Sequence, residues 1–354
     1  MGARPVSLGL ALTLAGPLTI AAVGAQNGAA RNTTLTAVPG VKVGHHTLTE
    51  RPTGCTVVLA EAGVTAGVDV RGSAPATRET DLLNPVNLVQ IAHAIVLSGG
   101  SAFGLDSASG VMRYLEERRI GFEFGPAHVP IVPAAAIFDL SVGDGRIRPG
   151  ADCGYQAARA ATDAPVTEGS LGAGAGATLG KAGGNGRSMK GGVGSAAIIL
   201  PNGLIVSALV VVNAAGDVID PASGQVVAGV RTADGTSFAD ARKILRAGGP
   251  ASGAAPAGRQ NTTLGVVATN ARLTKTEATR VSQMAHDGYA RALAPSHTPG
   301  DGDVIFTLAT GERTGSADAG QIGALAADVI ADAIVRAARQ ATGVPGYPAV
   351  RDLK

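Results

Sequence analysis

The sequence predicts a mixed α/β fold, and three observations predict it. Short β-branched apolar runs bounded by Gly, Pro, Asn and Asp recur along the chain, which is the pattern of strands. Two of these runs, 192–200 and 204–213, are separated only by Pro201-Asn202-Gly203, and Asn-Gly between apolar runs signals a hairpin. The C-terminal third adds two long segments with apolar residues at helical spacing.

The elements follow in order. Residues 1–25, MGARPVSLGLALTLAGPLTIAAVGA, combine one Arg, an apolar stretch and small residues at Val23 and Ala25, so they read as an export signal ending near Ala25. The protein is therefore expected to be periplasmic or secreted. No later apolar run reads as a membrane span, because each is too short or too rich in Gly. Strands are expected around 37–43, 56–60 and 64–70. His45 and His46 follow the first; neighbours in a strand point opposite ways, so they read as surface or polar-packing histidines rather than as a chelating pair. A strand at 92–100 ends in Gly99-Gly100 and opens onto a helix from Ser101 with Leu105, Ala108, Met112 and Leu115 on its apolar stripe. This Gly-rich turn lacks both the Walker ending and a GxGxxG, which argues against a nucleotide site.

A further strand is expected at 130–140 and an Ala-rich helix at 154–161. Residues 169–180, GSLGAGAGATLG, hold too much Gly for a stable helix and predict a close backbone approach. Lys181 follows directly. The second hairpin strand ends at Asn213, which reads as a turn residue or as a donor to a reaction centre. After a strand at 264–269, Thr274 and Glu277 form a capping box for a helix burying Ala278, Val281, Met284, Ala285 and Tyr289. Asp301 and Asp303 precede a strand at 304–308. They lack the other ligands of an EF-hand, so no metal is expected there. The last helix, about 317–340, turns Ile322, Leu325, Val329, Ile330 and Ile334 inward and Asp328, Asp332, Arg336 and Arg339 outward.

Composition narrows the function. The 29 Lys and Arg against 27 Asp and Glu give a net charge of +2 over 354 residues, with no basic block, so nucleic acid is a poor partner. Two cysteines, Cys55 and Cys153, permit one bridge or none; they read as two buried small side chains and are too few for a four-ligand metal site. No cofactor is implied.

The junction at 246–270 carries the chemistry. The Gly, Ala and Pro-rich stretch RAGGPASGAAPAGRQ stops at Asn261, and the apolar run beginning TTLGVVAT follows at once. One reading is an interdomain linker feeding a core strand. The sharper one is that the Asn261–Thr262 bond is broken and Thr262 becomes a chain N-terminus. An α-amine titrates near pH 8, so it is substantially neutral around neutrality and can take the proton of the adjacent hydroxyl.

Thr262, Lys181, Asn213 and the Asp301/Asp303 pair, with VPGVKVGHH, LSGGSAFGLDSASGV, GAGAGATLGK, NTTLGVVATNARL and HTPGDGD, resemble the P1 peptidase family. That family holds self-processing DmpA-like aminopeptidases, β-peptidyl aminopeptidases and endo-type 6-aminohexanoate-oligomer (nylon-oligomer) hydrolases. The resemblance runs from about Ala37 to the C-terminus. It implies a four-layer αββα sandwich, related to the ornithine acetyltransferase fold and of N-terminal-nucleophile type. It implies autocleavage at Asn261–Thr262, an α subunit of residues 26–261 and a β subunit of 262–354 that stay associated, and assembly of several αβ units, such as a tetramer. By resemblance Thr262 is the nucleophile, Asn213 donates to the oxyanion, Lys181 favours the ionised hydroxyl, and Asp301 and Asp303 orient the amine and Lys181. Lys190 competes for the cationic role; Lys181 is favoured because it directly follows the small-residue run. Thr262 and the DGD arrangement look more like the nylon-oligomer branch, whereas VVVNAAG around Asn213 departs from its pattern. The implied activity is hydrolysis of short peptides or aminohexanoate oligomers through an acyl-enzyme. The alternatives are a general L-, D- or β-aminopeptidase, ornithine acetyltransferase-like acyl transfer, and a secreted non-catalytic binding protein.

Overall fold

The computed structural model describes residues 1–2, 32–184, 186–249 and 261–353; residues 3–25 of the expected export signal lie outside them. Nine strands make up the main sheet system: β1 Lys42–Thr47, β2 Gly54–Val70, β3 Thr77–Arg78, β4 Ala92–Ser98, β5 Ala134–Ala136, β6 Gly192–Ile199, β7 Ile205–Asn213, β8 Thr262–Thr269 and β9 Val304–Ala309. Their order is β6-β7-β8-β9-β2-β4-β5-β3, with β1 also paired to β2. β2 is long enough to serve two sheets. Its first half pairs with β1 and β4, its register shifts between Leu59 and Val64, and residues 65–70 pair with β9. The two runs expected at 56–60 and 64–70 are therefore one bulged strand that bends from one sheet into the other.

The layers follow from which side chains each strand face buries. Leu209 and Val211 of β7, Leu264, Val266 and Ala268 of β8, and Val304, Phe306 and Leu308 of β9 meet Val58, Ile95, Leu97 and Ala135 of the other sheet in one apolar layer. The alternate residues of β7 and β8, including Val210, Val212 and Val267, pack outward against α3 (Lys275–Ala292) and α4 (Ala319–Gln340). On the far side, Val57, Leu59, Ala94 and Val96 pack against α1 (Ser107–Glu116) and α2 (Ala151–Arg159). Strict alternation thus gives each sheet two apolar faces, and the result is the αββα sandwich.

The local signals at the second sheet hold. β6 and β7 form the hairpin, from Gly192↔Val212 to Ile199↔Ile205, and Gly203 takes φ +81° in its turn. Thr274 and Glu277 close the capping box of α3. Elsewhere the elements shift: the strand expected at 37–43 begins only at Lys42 and runs through both histidines, and 130–140 yields only three residues of strand. Cys55 and Cys153 are not separate buried side chains, because a disulfide joins them and fastens α2 to β2 across a sequence separation of 98. No helix of the described residues is long and apolar enough to cross a membrane.

Candidate active site

Thr262 is the first residue of β8 and has the same parity as Leu264 and Val266, so its side chain opens into the layer between the sheets. The antiparallel register pairs it with Asn213, the last residue of β7, which has the parity of Leu209 and Val211. Two strand ends therefore place a hydroxyl and an amide side by side. Both residues are buried.

Asn213 in turn fixes Lys181. The Lys181 Nζ donates to the Asn213 backbone carbonyl (3.0 Å) and to its Oδ1 (2.9 Å), and the Thr178 N–H donates to the same Oδ1 (3.0 Å). The Asn213 Nδ2 donates to the Phe138 carbonyl (3.1 Å). The competing Lys190 is committed to other partners. Its Nζ donates to the carbonyls of Gly174, Ala177 and Gly191, each at 2.8 Å. Burial pulls its pKa down to about 7, with the charge of Lys181 acting the same way and Asp139 opposing. Three acceptors can be filled together only by three N–H hydrogens, so the carbonyls hold the ammonium form.

The carboxylates come from the turn before β9. β8 and β9 are parallel, and the pairing extends past Thr262, because Asn261 bridges Asp301. The Asn261 N–H donates to the Gly300 carbonyl (2.9 Å), and the Gly302 N–H donates to the Asn261 carbonyl (2.8 Å). The Thr262 hydroxyl donates to that same carbonyl oxygen at 2.5 Å. The Asp303 Oδ1 accepts the Thr263 N–H (2.7 Å), and its Oδ2 accepts the backbone N–H (3.1 Å) and Nδ1 (2.8 Å) of His297. The Asp301 Oδ2 accepts the Thr298 N–H (2.6 Å). Desolvation first, and then the charge of Asp303, push Asp301 up to about 6; the charge of Lys181 pulls the other way.

A backbone clamp holds this turn. Arg71 and Gly72 N–H groups donate to the Asp303 carbonyl, and the Ala74 N–H donates to that of Asp301. Gly302 has to be glycine: a Cβ there would lie 2.8 Å from the Thr262 Oγ and 2.6 Å from the Ala74 carbonyl oxygen. Among the residues of this group, Gly302 and His297 had no role in the sequence reading. Both sit inside HTPGDGD, and the signal available was the Gly enclosed by two Asp. In the continuous chain the polarised carbonyl is met by Gly302, whereas the Asn213 amide expected to serve an oxyanion is turned to Phe138.

The sandwich is a fold shared with solved aminopeptidases of the Ntn-hydrolase type. The L-aminopeptidase D-Ala-esterase/amidase from Ochrobactrum anthropi, described as a variant of the Ntn hydrolase fold, superposes with a TM-score of 0.65 at 19% identity over 89% of each chain. A β-aminopeptidase from a Burkholderia species gives 0.62 at 23% identity, over 88% of this chain and 87% of that one. The sequence profile of peptidase family S58 matches residues 33–351, and the chain belongs to that family. A protein named as an uncharacterized aminopeptidase in Mycobacterium tuberculosis is 41% identical over 90% of this chain and 97% of its own length. A 6-aminohexanoate-oligomer endohydrolase from a Kocuria species is 30% identical over 85% and 84%. The chain is thus a peptidase-type amide hydrolase.

Proposed function

We propose that this chain is a self-processing amidohydrolase whose nucleophile is Thr262, freed as an N-terminus by cutting the Asn261–Thr262 bond. The carrying observation is that the Thr262 hydroxyl lies 2.5 Å from the Asn261 carbonyl oxygen while the Gly302 N–H donates to the same atom. In the precursor, the Thr262 Oγ adds to the Asn261 carbonyl carbon, the carbonyl pair moves onto oxygen, and the Gly302 N–H meets the developing charge. The C–N bond then breaks, the nitrogen takes the hydroxyl proton, and water hydrolyses the resulting ester to the Asn261 carboxylate and a free Thr262.

In the mature enzyme the α-amine of Thr262 deprotonates its own hydroxyl, which attacks a substrate amide; the amine fragment leaves and water resolves the acyl-enzyme. Lys181, oriented by Asn213, favours the ionised oxygen. Asp303 holds the Thr263 N–H and so the entry of β8, and Asp301 balances the charge of Lys181. The fragments 26–261 and 262–354 stay together because β8 lies between β7 of the first and β9 of the second. The substrates are short peptides or oligoamides, a reading supported by relatives named for aminopeptidase and for aminohexanoate-oligomer hydrolysis. The protein is exported and assembles from several αβ units.

Denaturing intact mass tests this. The wild type is expected as two fragments, the smaller beginning at Thr262, and Thr262→Ala as one folded, inactive chain. A folded wild type that stays in one piece would overturn the reading.

A further inference from the structure

The residue on the acyl side of the bond at Thr262 is fully buried, and it is held by main-chain atoms alone. Asn261 is 0% exposed and Thr262 is 2% exposed, so in the continuous chain residue 261 fills the space from which any acyl group must approach the hydroxyl. Its N–H and carbonyl pair with the Gly300 carbonyl (2.9 Å) and the Gly302 N–H (2.8 Å), one residue added as a parallel strand beside Asp301. Its side chain is treated differently. Among the described residues neither Nδ2 nor Oδ1 of Asn261 has a hydrogen-bond partner, although both are buried. A pocket that leaves a buried amide unpaired penalises it and suits an aliphatic group of the same branching.

We propose that Asn261 is a template for the substrate: once it withdraws, the same subsite takes an L-α-aminoacyl residue with a branched aliphatic side chain. This rests on the proposed function, because the ester formed in self-cleavage and the acyl-enzyme are the same Thr262 ester carrying different acyl groups. The substrate carbonyl oxygen takes the Gly302 N–H, and the N–H one carbon away takes the Gly300 carbonyl. As the Thr262 Oγ–carbon bond forms, the carbonyl pair becomes an oxyanion on Gly302. The departing amine receives the hydroxyl proton through the Thr262 α-amine, and water later returns the ester to acid and hydroxyl. Spacing is the selective element. An acyl group whose nitrogen stands one carbon from the carbonyl satisfies both main-chain partners, whereas a 6-aminohexanoyl group carries its nitrogen five carbons away and leaves Gly300 unpaired.

Four p-nitroanilides test this on the purified, processed enzyme: L-leucyl, L-asparaginyl, 4-methylpentanoyl (leucine without its amine) and 6-aminohexanoyl. The expected kcat/KM is highest for leucyl, about tenfold to a hundredfold above 4-methylpentanoyl and 6-aminohexanoyl. Leucyl should also exceed asparaginyl by about tenfold. Equal rates for leucyl and 4-methylpentanoyl, or a faster 6-aminohexanoyl anilide, in an enzyme shown by mass to be cut at Thr262, would overturn the template while leaving the amidohydrolase intact. Faster asparaginyl turnover would overturn the apolar pocket. A chain that is uncut and inert to all four would bring down both readings together.

Discussion

Two buried charge clusters in this molecule differ in how fully they are satisfied. In the first, Arg51 and Asp139 pair with no side-chain exposure at all. Arg51 also donates to the carbonyls of Val142 (2.6 Å) and Ile147 (2.7 Å), and Asp139 accepts the Thr53 hydroxyl and the Gly100 N–H. Opposite charges meet there and the surrounding polar groups are spent on them. In the second, Asp301 and Asp303 are like charges in one short turn, and Asp301 is pushed up to about 6. The first arrangement fixes a shape. The second stores a charge imbalance beside a hydroxyl, which is what proton transfer near neutrality needs.

Removing one member of each cluster should separate the two roles. Asp139→Ala leaves Arg51 buried without its carboxylate, and breaking a buried pair in this way costs about 3–5 kcal/mol. The expected result in denaturant titration of the uncut Thr262→Ala background is a loss of that size. Little or no loss would erase the contrast. Asp303→Asn keeps an acceptor for the Thr263 N–H but removes the charge, and the expected outcome is a roughly hundredfold slower appearance of the Thr262 fragment. Its unfolding midpoint should move far less than that of Asp139→Ala. If Asp303→Asn instead matches Asp139→Ala in stability and processes at the wild-type rate, the second cluster is structural like the first.

Sequence showed one side of this contrast and not the other. Thr262 stood out because composition changes abruptly at Asn261, and Lys181 because it ends a run of small residues. Asp301 and Asp303 stood out as two carboxylates two residues apart before a strand, and the family resemblance gave them a role. Arg51 and Asp139 did not, since 88 residues separate them and nothing in the sequence pairs them until the sheets close. The length of β2 was hidden by Glu61, Ala62 and Gly63, which read as a break but form a bulge. The disulfide was open for a similar reason, because pairing two cysteines needs the contact of α2 with β2. Gly302 acts through a backbone N–H, which every residue but Pro carries, so its only mark in the sequence is the Gly between two Asp. The layered fold was compatible with the strand and helix pattern, yet the pattern alone does not say which strands share β2.

The smallest effect is a pH dependence, and its two parts have opposite sign. With a folded pKa of about 6, Asp301 is mostly ionised at pH 7 and mostly protonated at pH 5. If the ionised form balances Lys181 during processing, the fragment should appear about tenfold more slowly at pH 5 than at pH 7, and Asp301→Asn should flatten that slope. Stability runs the other way. The unfolded carboxyl titrates near 3.8, so between about pH 4 and 6 the folded chain binds a proton that the unfolded chain does not. The contribution of Asp301 to stability is therefore greatest below that window and is lost as pH rises through 6. Measured in the Thr262→Ala background, the uncut chain should gain stability on acidification relative to the same chain carrying Asp301→Asn. Processing that slows while the fold tightens separates a proton needed for chemistry from one needed for folding. If rate and stability instead fall together below pH 6, acid is weakening the fold, and Asp301 belongs with Asp139 as part of the frame.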